Sequence, residues 1–265
     1  MFFFDEPQFH LFGFSLSFVF FSSPKPYFSK KLFSKIENGE LHGFGYNNQG
    51  QFGNGEILRA FLPIPKLVSS EIRVKLVSGG SHHSLIYTED SRLLACGNNQ
   101  FSQLGVKTEE LVQTTFVEVM RDQKISQICC QSLGSVILRT NGDVLVSGLN
   151  EECQLGMDTK GQNISQPTLL TNDKDIQKIH CGEYFTVIEK RNGVFLLVGG
   201  LSELWKIENP KQIEMGENIK QIACGSYFIL FLKQNGDLWF AFFFFSFKTI
   251  STQIFLRSFG RNEYG

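Results

Sequence analysis

Residues 95–105 read ACGNNQFSQLG, and the same pattern stands at 43–53 as GFGYNNQGQFG and at 146–156 as VSGLNEECQLG. In each copy the two framing glycines are eight residues apart: Gly45 and Gly53, Gly97 and Gly105, Gly148 and Gly156. A signature that returns at a near-constant interval marks a repeat architecture, in which each unit buries its apolar faces only by stacking on its neighbours.

Two further markers keep the same phase. Turn pairs stand at Asn38-Gly39, Asp90-Ser91, Asn141-Gly142, Asn192-Gly193 and Asn235-Gly236, at intervals of 52, 51, 51 and 43 residues. Asn-Gly between apolar runs signals a hairpin, and a two-residue turn of the favoured kind places both central residues at positive φ. Val77, Ile128, Ile179 and Ile222, read as strand starts, each stand thirteen residues ahead of a turn. Between the markers lie SVILR (135–139), DVLVS (143–147) and VFLLV (194–198). Such short runs, apolar on both faces, belong to sheets covered on both sides. Units of about 51 residues built from short strands predict an all-β chain stacked radially into a β-propeller, one four-stranded blade per repeat.

The pattern of an apolar strand, small residues of the type CGxxF, a second strand, N-G-D and a closing G-x-N-x-x-x-Q-L-G resembles the regulator of chromosome condensation repeat. The resemblance covers residues 32–239 and 258–265. Kelch repeats are of similar length, but their glycine doublet recurs at one phase, whereas Gly79-Gly80 and Gly199-Gly200 fall at different phases. The resemblance implies an interaction or regulatory propeller. It also implies, as the alternative, guanine-nucleotide exchange on the small GTPase Ran.

The period measures its own departures. Seven residues separate Asn38 from Gly45, Asp90 from Gly97, Asn141 from Gly148 and Asn192 from Gly199, but 25 separate Asn235 from Gly260. Removing residues 240–257, FAFFFFSFKTISTQIFLR, restores N-G-D-L-W-S-F-G-R-N-E-Y-G. That stretch and residues 1–33 together hold 18 of the 28 phenylalanines, which divides the composition into a repeat and two Phe-rich additions. The predicted organisation is a Phe-rich segment at 1–31 outside the repeats, then propeller repeats over 32–265 with an insertion at 240–257. Four to five repeats, against the roughly four to eight blades of closed propellers, predict an incomplete ring. Gly199 to Ile222 spans 23 residues where the two preceding copies span 31, so the outer loop of that unit is short and lacks the N-x-x-x-Q-L-G ending.

Net charge is −1, from 25 basic and 26 acidic residues with no long run of either sign, so no nucleic-acid partner is indicated. Residues 9–21 (FHLFGFSLSFVFF) are too short to span a membrane and follow Asp5 and Glu6 rather than a basic leader, so no membrane partner is expected. Of the six cysteines, Cys130, Cys181 and Cys224 share the phase of Gly79, and Cys129-Cys130 are adjacent rather than spaced as in a zinc knuckle. Reduced structural thiols and an intracellular location, cytoplasmic or nuclear, are the expectation.

No G-x-S-x-G, H-E-x-x-H or G-x-x-x-x-G-K-S/T motif occurs, and His82, His83 and His180 appear in single copies. The chain is therefore expected to have no catalytic residues, cofactor or metal. Gly45, Gly53, Gly97, Gly105, Gly148, Gly156, Gly199 and Gly260 are predicted to hold conformations or contacts that a β-carbon would obstruct. Asn38-Gly39, Asn141-Gly142, Asn192-Gly193 and Asn235-Gly236 are predicted hairpin turns. The signature Asn and Gln side chains are predicted to hydrogen-bond loop backbone, and Glu151-Glu152 to offer an exposed acidic contact. The functional expectation is a non-enzymatic scaffold for an unidentified protein partner, with the alternative partner a small GTPase.

Overall fold

A computed structural model describes residues 31–35, 39–151, 153–202, 205–213, 218–226, 228–242 and 257–259. Asn38, Glu152, Gly260, residues 1–30 and most of the proposed insertion lie outside them.

The described residues are strands and loops, with no helix among them, and form five antiparallel sheets whose strands pair in chain order. The first sheet holds β1 (Lys31–Lys35), β2 (Leu41–Asn47) and β3 (Leu58–Ser69). The second holds β4 (Val74–Gly79), β5 (His83–Thr88), β6 (Arg92–Asn98) and β7 (Val112–Arg121), and the third β8 (Ile125–Cys130), β9 (Gly134–Arg139), β10 (Val144–Gly148) and β11 (Ile164–Thr171). The fourth holds β12 (Ile176–Cys181), β13 (Phe185–Lys190), β14 (Phe195–Ser202) and β15 (Trp205–Ile213), and the fifth β16 (Ile219–Cys224), β17 (Phe228–Lys233), β18 (Leu238–Phe242) and β19 (Arg257–Phe259). The first strands β4, β8, β12 and β16 meet one another in sequence, which sets them around a common axis. This is the blade arrangement of a β-propeller.

The core lies between blades rather than within them. Leu85, Tyr87, Leu93 and Ala95 of the second blade bury against Ile125, Ile128, Ile137 and Leu145 of the third. Val136, Leu138, Val144 and Val146 of the third do the same against Ile176, Ile179, Ile188 and Val198 of the fourth. Phe52, Leu104 and Leu155, which precede the closing glycines, are also buried in these interfaces. Neither blade can bury these faces alone, so the apolar burial that drives folding requires the neighbour.

Two expectations need correction. Val77, Ile128, Ile179 and Ile222 do not start strands: the first strands begin three residues earlier, at Val74, Ile125, Ile176 and Ile219. A bulge after the first residue of each, as between Ile125 and Gln127, breaks the two-residue alternation that would have revealed them. The Asn-Gly turns are likewise not two-residue turns. Gly142, Gly193 and Gly236 have positive φ (+90°, +80°, +92°), while their asparagines are not among the positive-φ residues. Gly142 N donates to Arg139 O at 3.0 Å and Arg139 N to Asp143 O at 2.9 Å, which is a three-residue loop with the glycine in the bulge. The asparagine serves through its side chain, accepting from the amide two residues on: Asp143 N to Asn141 Oδ1 (3.3 Å), Val194 N to Asn192 Oδ1 (3.1 Å), Asp237 N to Asn235 Oδ1 (3.0 Å).

At the fifth blade, Phe240–Phe242 continue β18, and Phe242 pairs with Phe228 as Gly199 pairs with Phe185. Arg257–Phe259 return as the outer strand against Leu238–Phe240.

Candidate functional site

The loops that join first to second strands and the signature loops that join third to fourth strands open on the same end of the blades. The short hairpin turns occupy the other end. The signature end is the candidate site, and the signature loops of the first three blades are built on one plan.

Asn47, Asn99 and Asn150 are buried, and each accepts through Oδ1 from the amide five residues on: Phe52 N (2.8 Å), Leu104 N (3.1 Å) and Leu155 N (3.0 Å). Their Nδ2 groups donate to Glu56 O (2.7 Å), Val106 O (3.4 Å) and Met157 O (2.7 Å). Gln51 and Gln103 accept through Oε1 from Gln49 N (2.8 Å) and Phe101 N (2.9 Å). Orphaned loop amides and carbonyls are thereby satisfied by buried side chains.

The framing glycines make this wrapping sterically possible. Gly45, Gly97, Gly148 and Gly199 stand at φ of +107°, +104°, +122° and +111°. A β-carbon would lie 2.3 Å from His82 O at Gly97, 2.5 Å from Leu133 O at Gly148 and 2.6 Å from Tyr184 O at Gly199. Gly53, Gly105 and Gly156 lie against the following blade, where a β-carbon would meet Phe116, Ser147 Oγ and Val198 Cγ2 respectively.

Each loop also locks onto the following blade. Ser84 Oγ donates to Gln51 O (2.7 Å) and Ser135 Oγ to Gln103 O (2.6 Å), all buried. At the same phase Thr186 Oγ1 accepts from Gln131 Nε2 (3.0 Å), which also reaches Gln154 O (3.5 Å). Nearer the axis, Ser81 N donates to Ser132 O (3.2 Å) and Ser132 N to Glu183 O (3.1 Å). His83, fully buried, places Nε2 3.1 Å from Ser135 Oγ. The hydroxyl already donates to Gln103, so the ring nitrogen donates to it.

On this fixed base stands one exposed residue per blade at a single phase: Asn48, Gln100 and Glu151. The buried Asn47, Asn99 and Asn150, and Gln51, Gln103 and Gln154, keep their type from copy to copy while this crest position changes. Of the three, only Glu151 stands out in the sequence, by its charge. Gly50, Ser102 and Cys153 share a left-handed conformation (φ +69°, +65°, +57°) that sequence reasoning misses, because only one of the three is glycine.

Away from the rim, Glu189 on β13 accepts from Gln177 Nε2 (2.8 Å) and lies 3.1 Å from His180 Nε2 and 3.6 Å from Lys178 Nζ. The hydrogen bond from His180 first, and then the charge of Lys178, hold its carboxyl below the ordinary value. A depressed folded value means a contribution to stability that is full above the unfolded value and disappears as pH falls through the folded one. Glu189→Gln is therefore expected to lower stability near neutral pH and to match the parent at an acid pH below the depressed folded value. Denaturant titrations at both pH values check this; a gap independent of pH would contradict it.

No group of three or more His, Cys, Asp or Glu among the described residues is arranged to hold a metal ion. No helix among them is long and apolar enough to cross a membrane.

The regulator of chromosome condensation (RCC1) repeat matches residues 38–87 and 141–188, and a second model of that repeat matches 74–103. Protein RCC2 homolog of Xenopus laevis is 30% identical over 143 residues, covering 52% of this chain and 27% of the relative. The X-linked retinitis pigmentosa GTPase regulator of Canis lupus familiaris is 32% identical over 141 residues, 52% of this chain and 14% of the relative. The secretion-regulating guanine nucleotide exchange factor of Mus musculus is 35% identical over 121 residues, 44% and 26%. The chain thus spans less than a third of the length of these relatives. Among solved structures, yeast RCC1 (Prp20) bound by Kap60 superposes with a TM-score of 0.69 at 20% identity, covering 81% of this chain and 54% of that one. Human WBSCR16 gives 0.67 at 20% identity, covering 82% and 60%. At that identity the likeness establishes the propeller fold.

Proposed function

We propose that this chain, a member of the regulator of chromosome condensation repeat family, is a non-catalytic propeller scaffold in the cytoplasm or nucleus that binds a protein partner through its signature rim. The carrying observation is the rim itself, where Asn48, Gln100 and Glu151 vary over a base of buried hydrogen bonds that repeats. Variable side chains on rigidly held loops suit recognition. Similar proteins support a protein partner: one solved structure holds yeast RCC1 bound by Kap60, and another is described with its binding to Gsp1p and histones.

The second reading is nucleotide exchange on a small GTPase, which the similarity to a GTPase regulator and to a guanine nucleotide exchange factor favours. Exchange requires a loop that competes for the phosphate and magnesium region of the GTPase. Affinity capture with the full chain and with an Asn48→Ala/Gln100→Ala/Glu151→Lys variant tests the scaffold. Captured partners are expected to fall about tenfold in the variant, with unchanged melting, as for the loss of a few rim contacts. An identical captured set would remove the rim from the binding surface. Stimulated nucleotide release from any member of a GTPase panel would shift the reading to exchange.

A further inference from the structure

The first strands of the third and fourth blades meet through a paired side-chain contact. Gln127 on β8 straddles Ile179 on β12: its Nε2 donates to Ile179 O at 2.6 Å, and Ile179 N donates to its Oε1 at 2.9 Å. Two residues further along each strand stand Cys129 and Cys181. Side chains two apart in a strand share a face, so Cys129 points toward the fourth blade as Gln127 does. Cys181 is buried on the same face as Ile179, inside the cluster between these two blades, and Cys129 packs against that cluster. Cys130 points the other way, into the cluster between the second and third blades.

The repeat supplies an independent measure of this contact. One blade earlier, Ser78 stands at the phase of Cys129 and Cys130 at that of Cys181, and Ser78 Oγ accepts from Cys130 N at 2.9 Å. Cys129 puts sulfur where Ser78 puts oxygen. One blade later the same position is His180, facing the phase of Cys224. Among the described residues, only the third and fourth blades carry cysteine at both of these phases.

We propose that Cys129 and Cys181 form a reversible disulfide that staples the first strands of neighbouring blades, making this junction a modification site for hydroperoxides. The half-buried Cys129 is the attacking group, and the buried Cys181 resolves it. A hydrogen bond from Cys181 holds the Cys129 thiol below its ordinary value, whereas burial pushes Cys181 well above. The Cys129 thiolate attacks one peroxide oxygen and the O–O bond breaks. The departing hydroxide takes a proton to become water, leaving a sulfenic acid. The Cys181 sulfur then attacks the sulfenic sulfur, the S–O bond breaks, and the Cys181 proton leaves with that hydroxide as a second water. Two thiols are oxidised and one peroxide is reduced.

The full chain is treated with hydrogen peroxide, alkylated and digested with trypsin without reduction. Cleavage after Lys124, Arg139, Lys178 and Lys190 places Cys129 and Cys130 in residues 125–139 and Cys181 in 179–190. The two peptides are expected to be linked in the parent and in Cys130→Ser, and to be separate in Cys129→Ser, in Cys181→Ser and after dithiothreitol. Serine at position 129 restores what Ser78 already is in the neighbouring blade, so that variant keeps its fold, checked by circular dichroism. A link that persists in Cys129→Ser would overturn the proposal. So would a parent chain whose Cys129 reaches the sulfinic acid while Cys181 remains alkylated, or whose two thiols both remain alkylated.

Discussion

Gly97→Val is expected to lower the melting temperature by on the order of 10 °C, the largest effect of any single substitution on the signature rim. Gly97 stands at φ +104°, and its missing β-carbon would lie 2.3 Å from His82 O and 2.7 Å from His83 Cα. The strain of a β-branched residue at that φ costs about 1–3 kcal/mol, and two backbone atoms of the adjacent strand must also move. A total of about 3–5 kcal/mol is a large share of the 5–15 kcal/mol of a typical domain, and each kcal/mol lowers the midpoint by about 2–4 °C at this size. Gly193 is the internal comparison, with φ +80° but nothing within 4 Å of where a β-carbon would stand, so Gly193→Ala bears the backbone strain alone. Thermal unfolding followed by circular dichroism should rank the two, with Gly97→Val far below Gly193→Ala. Equal midpoints would mean that the close approach to His82 is not what selects glycine.

The fold was legible because its markers are periodic. Gly97, Gly148 and Gly199 each do the same steric task, so the spacing of glycines alone reports blades. What escaped reading are features that the period does not display. The bulges insert Lys75, Ser126, Gln177 and Lys220 after the first residue of each first strand, and a polar residue out of step there hides the alternation that would announce the strand. The left-handed position shared by Gly50, Ser102 and Cys153 carries three different side chains, so no residue type announces it.

Contacts between repeats were the least visible, since they join residues 32 positions apart, as Ser135 and Gln103, or 52 apart, as Gln127 and Ile179, through unremarkable side chains. Ser84 and Ser135 meet the signature loop of the preceding blade through their hydroxyls. At the same phase of the fifth blade stands Ile229, and the preceding blade joins Ser202 to Trp205 almost directly, with no signature loop. The hydroxyl and the loop that it would hold are missing together. Ile229 is buried among Phe185, Leu197 and Phe231 instead. A buried hydroxyl without a partner is costly, so the loss of the loop removes the reason for serine or threonine there.

The rim also contains the sharpest test of which signature residues are frame and which are surface, because Asn150 and Glu151 are neighbours with opposite burial. Asn150 is fully buried, accepts from Leu155 N at 3.0 Å, and donates to Met157 O at 2.7 Å and Thr159 Oγ1 at 2.8 Å. Leucine has a similar branched shape and can make none of these bonds. Asn150→Leu is therefore expected to leave the buried amide of Leu155 unpaired, at about 1–3 kcal/mol, to take a partner from the half-buried Met157 carbonyl, and to release the loop that carries the crest. Glu151→Ala removes an exposed side chain and should stay within about 0.5 kcal/mol of the parent. Denaturant unfolding measures the stabilities, and amide exchange at Leu155 reads the loop directly. Asn150→Leu should show fast exchange there together with lost partner capture, whereas Glu151→Ala should show parental exchange and altered capture alone. If Asn150→Leu retained parental exchange at Leu155, the asparagine would not be the residue that holds the loop, and the rigid base on which the scaffold reading rests would have to come from the glycines alone.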